Sequence, residues 1–143
     1  MTKIFQTRFG REGNCWAACL ASYFEVPLEE VDQCACHNID WREKTHLFLA
    51  ARGLFYVEVS LTSDDNTYPF TAPLDGSLVI IGVNVDIPTP HVVIGRTRYL
   101  EKDASGDAIQ FDIVHDPLGE DITHITLRNY HPQILILFCH LSV

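Results

Sequence analysis

Apolar positions in this chain change period near Gly53, from helical spacing before it to alternation after it. Trp16, Leu20 and Phe24 fall at i, i+4 and i+8, one stripe of a helix. Ala17, Ala18 and Ala21 leave the rest of that surface small, so other elements can approach closely. The pattern predicts a central, packed helix that starts at Cys15, with the Asn14 side chain capping its first-turn amides. It ends near Glu25, because Pro27 drives Val26 out of helical conformation. Pro27-Leu28-Glu29-Glu30-Val31 starts a second helix, with proline in the first turn and two acids at the positive end. Leu28, Val31 and Ala35 give it an inward face. A third helix is expected over residues 42–52, closed by Gly53 in a left-handed conformation.

Beyond Gly53, residues 54–61 read as a strand, and the nearly continuous apolar run 78–85 as a buried one. Further strands are expected over 91–100, 109–115, 122–127 and 133–141. Residues 62–76 form a long loop, whose Tyr68, Phe70 and Leu74 either line a groove or anchor the loop itself. Residues 1–13 are irregular, with turns at Gly10 and Gly13. Helices early and strands late predict an α+β fold, N-terminal helices packed on a C-terminal antiparallel sheet. At 143 residues and 47% hydrophobic content, residues 1–143 make one domain with a single core.

Charge narrows the partners. Ten basic against nineteen acidic residues give −9, which argues against nucleic acid or an anionic membrane and favours neutral or basic substrates. The first residues carry no signal-peptide core, and the apolar run 134–139 is strand-sized. Five cysteines, an odd number without a secretion signal, predict reduced thiols in a cytoplasmic setting.

Three residues stand where chemistry is expected. Cys15 lies in the first turn of its helix, where the dipole and free N–H groups favour a thiolate, hence a nucleophile; Cys19 one turn later reads as a small buried hydrophobe. His91 opens an apolar strand directly after the stiff corner Pro88-Thr89-Pro90, and Asp116 ends the next strand before Pro117. Asp103-Ala104-Ser105-Gly106-Asp107 is turn material, so the two strands form a hairpin. With the turn centred near residue 105, His91 falls opposite roughly residue 119, which brings Asp116 within reach at a cross-strand spacing of about 5 Å. His115 alternates to the other face and is the weaker candidate for a base. Separately, His91 reads as an edge-strand histidine and Asp116-Pro117 as a plain turn; together with Cys15 they suggest a nucleophile, a base and an orienting acid. Cys34-Ala35-Cys36-His37, with Cys139-His140, hints at a metal knuckle, but its spacing fits no usual zinc pattern, and buried thiols without metal or cofactor are expected.

Gly13-Asn14-Cys15-Trp16-Ala17-Ala18-Cys19-Leu20-Ala21, then Pro27-Leu28-Glu29-Glu30-Val31, His91-Val92-Val93-Ile94-Gly95 and Val114-His115-Asp116-Pro117, resemble the papain-like cysteine peptidase superfamily. They are similar in particular to its small C39-like and NlpC/P60-like members, single-domain proteins of phage and bacterial type. The resemblance covers roughly residues 6–36 and 78–118 and implies a papain-like fold. It also implies Cys15 as nucleophile, His91 as base and Asp116 as the residue that orients it. The family's upstream glutamine, a side-chain donor to the oxyanion hole, corresponds to Gln6, nine residues before Cys15, with the loop 10–13 absorbing the extra length. Glu25 stands where many relatives have glycine, a matter of capping. The implied activity is a cysteine hydrolase, a peptidase or isopeptidase, acting on a protein or peptide through an acyl-enzyme, in the host cytoplasm for a phage-encoded member. The same triad serves deamidation, amidohydrolysis or transglutaminase-type acyl transfer, and a non-catalytic papain-like binding module is the alternative of another class.

Overall fold

The first element, helix α1 (Cys15–Phe24), is buried along nearly its whole length, as its stripe of large residues and its alanines require. The computed structural model describes residues 1–60, 76–84, 91–99, 109–119 and 131–141. Glu25 ends α1 in a left-handed conformation, φ 55°, and the Val26 N–H donates to the Ala21 carbonyl. That conformation is costly for a residue with a Cβ; the Glu25 carboxylate also accepts from the Thr2 N–H at 3.0 Å.

Helix α2 (Leu28–Val31) is a single turn that tightens into a 3-10 turn over Asp32–Cys34. Pro27 stands at its N-cap rather than inside its first turn. Val31 and Ala35 are fully buried, the inward face expected. Helix α3 (Trp41–Ala50) is followed by Gly53 at φ 68°, whose carbonyl accepts from the Leu141 N–H. This left-handed glycine turns the chain directly into the sheet.

Strands β1 (Leu54–Ser60), β2 (Leu78–Asn84), β3 (His91–Tyr99), β4 (Ile109–His115) and β5 (His131–His140) form an antiparallel sheet in the order β1-β5-β2-β3-β4. The last strand therefore inserts between the first two. The fold is α+β, as expected. One face of the sheet meets the helices: Ile80, Ile94 and Ile136 pack with Trp16, Leu20 and Leu49. The other face carries a second buried cluster, Val79, Ile81, Val83, Val93 and Leu135. Strand β2 is apolar at successive positions because both its faces are buried. The predicted ends at Leu61, Val85 and Leu100, the loop 62–75, the corner 88–90, the turn 103–107 and the strand 122–127 lie outside the described residues.

Candidate active site

α1 crosses β3, and the Cys19 thiol, one turn into the helix, meets the Val92 carbonyl at 3.6 Å. That contact sets the start of the helix beside the start of the strand, and so Cys15 beside His91. Cys15 is half-buried and is the first residue of α1, so its N–H belongs to the set of donors that have no intrahelical carbonyl. His91 begins β3, which lies inside the sheet between β2 and β4 and not at its edge.

The hairpin register is regular from Tyr99↔Ile109 to Gly95↔Ile113 and then shifts, so that Ile94 pairs with His115. This irregularity leaves Val114 as the extra residue and increases the local twist. Asp116 follows directly, at the head of a turn in which the Gly119 N–H donates to its carbonyl and the Leu118 N–H to its carboxylate at 2.9 Å. Aspartate, proline and glycine occupy the first, second and fourth positions, those that a type I turn favours. The other reach of the carboxylate is across the hairpin: His91 Nε2 and Asp116 Oδ1 are 2.8 Å apart, with both side chains almost wholly buried. The Cys15 side chain is near enough to act on the same ring and favours its charged form.

Burial alone would lower the His91 pKa, but the bonds to Asp116 and Cys15 and their charges outweigh it and raise it from 6.5 to about 9. His91 is therefore an imidazolium at neutral pH. A histidine whose pKa is higher folded than unfolded stabilises the fold most below its unfolded value of 6.5, and that stabilisation is lost as pH rises through about 9. The ceiling is roughly 3 kcal/mol. Urea midpoints at pH 6 and pH 9 should thus differ more in the wild type than in His91→Ala; equal differences would mean the pair does not titrate this way.

His115 is buried and takes a different partner: its Nε2 meets the Ile4 carbonyl at 2.7 Å, and its ring lies edge-on to Phe5 at 5.1 Å. It belongs to the lacing that holds the N-terminal segment between α1 and β4. Ser22 contributes to the same lacing, accepting from the Ile4 N–H at 2.9 Å while its one hydroxyl hydrogen is shared between the Ala18 carbonyl at 2.9 Å and the Ile4 carbonyl at 3.2 Å. Gln6 continues it, its N–H donating to the Pro117 carbonyl at 2.9 Å, next to Asp116. The Gln6 side chain is buried, donates from Nε2 to the Arg8 carbonyl at 3.0 Å and leaves Oε1 without a partner among the described residues.

Asn14 departs from expectation. It makes no side-chain cap to α1. Its Oδ1 accepts instead from the Thr7 and Arg8 N–H groups, both at 3.0 Å, while Nδ2 donates to Thr7 Oγ1 at 3.1 Å. Tertiary contacts with residues 7 and 8 have displaced the local cap. No spacing rule relates an asparagine to amides seven residues earlier, so this role was not readable from the chain.

The remaining thiols differ. All five cysteines are free, but Cys19 and Cys34 are buried. Cys36 is exposed as a residue, yet crowding around its sulfur, the charges of Cys15, Cys34 and Glu58, and only partial opposition from Arg42 push its pKa up to about 12. Among the described residues no group of three His, Cys, Asp or Glu is arranged to hold a metal ion. Trp16 lies edge-on to Trp41 and Tyr56, at 6.1 and 6.0 Å, so these aromatics are packing partners around α1. Among the described residues no helix is long and apolar enough to cross a membrane. The chain matches no family model, no curated protein and no solved structure, so the site has to be read from its own geometry.

Proposed function

We propose that this protein is a papain-like cysteine hydrolase that cleaves a peptide or isopeptide bond in a protein or peptide substrate. One observation carries the reading: a buried ring, His91, meets Asp116 at 2.8 Å, and Cys15, the first residue of a buried helix, is near enough to favour its charged form. A core histidine needs one satisfied nitrogen and no thiol partner at a helix start.

The Cys15 thiolate attacks the carbonyl carbon, and the carbonyl π pair moves onto oxygen. The Cys15 N–H and the Gln6 Nε2 donate to that oxyanion. His91, an imidazolium at neutral pH, gives its Nδ1 proton to the leaving nitrogen as the C–N bond breaks, and a thioester remains. Neutral His91 then takes a proton from water, whose oxygen attacks the thioester; collapse expels the thiolate and releases the acid. Asp116 holds the ring through Nε2 and stabilises its cation. Free thiols suit a reducing, cytoplasmic setting for this chemistry.

Limiting iodoacetamide followed by peptide mass spectrometry tests the reading. Exposure favours Cys36, but with a pKa of about 12 only roughly one thiol in 10⁵ is ionised at pH 7. Cys15 should therefore be modified first, ahead of Cys36, Cys139, Cys34 and Cys19. Prior modification of any other cysteine contradicts the assignment of the nucleophile.

A further inference from the structure

We propose that Asn14 is a positioning residue for the oxyanion donor: by holding Arg8 against the start of α1, it sets the orientation of the Gln6 amide. The inference rests on the reading of Cys15 and Gln6 given above, and goes beyond it in assigning a role to the residue that precedes the nucleophile.

An N-cap needs a single acceptor, which serine, threonine or aspartate supplies equally well. Asn14 is used differently. Oδ1 takes two N–H groups, and the two Nδ2 hydrogens go to Thr7 Oγ1 at 3.1 Å and, more weakly, Asp32 Oδ1 at 3.4 Å. Both lone pairs and both hydrogens of the amide are committed in a fully buried side chain. No other residue of this length offers two acceptor sites and two donors.

Those bonds converge on Arg8. Its N–H donates to Asn14 Oδ1, and its carbonyl accepts from the Asn14 N–H at 3.3 Å, so Asn14 holds it at both ends. The Arg8 guanidinium bonds Asp32 at 2.7 Å, closing the ring of contacts. The same Arg8 carbonyl accepts Gln6 Nε2 at 3.0 Å. A carbonyl oxygen only accepts, so the Gln6 nitrogen, and not Oε1, must face it; this fixes which way the amide is turned. One Nε2 hydrogen is thereby held and the other is left to donate to the oxyanion. The Gln6 backbone is pinned from the opposite side by the Pro117 carbonyl at 2.9 Å. Rotation of the Gln6 amide is the remaining freedom, and Asn14 removes it through Arg8. Hydrogen-bond stabilisation of a transition state is sensitive to such placement, an error of about 1 Å costing up to roughly 10²-fold.

Two reactions of Cys15 separate orientation of the donor from reactivity of the sulfur. Acylation by p-nitrophenyl acetate, read as the burst of p-nitrophenolate, passes through an oxyanion; alkylation by iodoacetamide does not. The ratio of the two rates cancels any change in the thiolate itself. Gln6→Ala should lower the ratio about 10²-fold, and Asn14→Ala about tenfold or more. The double variant should be no worse than Gln6→Ala, because both act through one donor. Asn14→Asp has nearly the same shape but loses both donors and sets a second carboxylate beside Asp32, so its ratio should also fall about tenfold, and it carries the test if Asn14→Ala does not fold. An unchanged ratio in whichever of the two variants folds, or a loss that multiplies with that of Gln6→Ala, overturns the proposal alone. A burst that is absent from the wild type, or survives Cys15→Ala, overturns the reading of the site and the proposal with it.

Discussion

His91→Ala is expected to reduce turnover of any substrate by about 10⁴-fold or more, close to the effect of Cys15→Ala. In the proposed mechanism the two residues act as a unit, and losing either removes the step that makes the nucleophile or the step that protonates the leaving group. The buried position of the ring sharpens the expectation. Water cannot easily substitute for a side chain that is 3% exposed and held by Asp116 at 2.8 Å. Alkylation of Cys15 should fall as well, by tenfold or more, since the positive charge beside the sulfur is gone; alkylation of Cys139 should not change. The fold should persist, because His91 stands at the end of a strand and the core cluster of Leu20, Ile80 and Ile94 does not include it. A His91→Ala protein that folds and turns over within tenfold of wild type would remove His91 from the mechanism.

Asp116→Ala should move the alkaline limb of the rate profile to lower pH and slow the reaction, while hurting it roughly 10 to 100 times less than His91→Ala. The sign follows from the forces on His91. Burial pushes its pKa down, and the bonds and charges of Asp116 and Cys15 together bring it up to about 9. Without the carboxylate the opposing pull weakens, so the imidazolium loses its proton at lower pH and the limb moves down with it. Asp116 also accepts the Leu118 N–H at 2.9 Å. Asp116→Asn keeps an oxygen for that turn while removing the charge, and should shift the limb in the same direction. An unmoved limb in both folded variants would mean that another group orients the histidine.

Much of the fold is legible because local and tertiary preferences agree. The stripe of Trp16, Leu20 and Phe24 with interspersed alanines can be satisfied only by a buried helix, and Pro27 stops it. Gly53 marks the change of period because a left-handed residue is needed where α3 turns into β1. The order of the sheet is not legible. β5 enters between β1 and β2 through pairings such as Tyr56↔Phe138 and Ile80↔Ile136, whose sequence separation leaves no local trace. The site divides in the same way. Cys15, His91 and Asp116 are recognisable by residue type at the start or end of an element, and the hairpin estimate, His91 opposite roughly residue 119, falls about three residues from the Asp116 that it meets. The bulge at Val114 and the diversion of Asn14 to Thr7 and Arg8 are not recognisable, since both depend on what another segment offers.

The most direct test of the account is to trap the acyl-enzyme. Wild type and His91→Ala are mixed with p-nitrophenyl acetate, quenched in acid within the burst, and mapped by peptide mass spectrometry. The account predicts one acetyl adduct, on Cys15, in the wild type and none in His91→Ala over the same interval. An adduct on another residue, or an equal yield on Cys15 without His91, contradicts it.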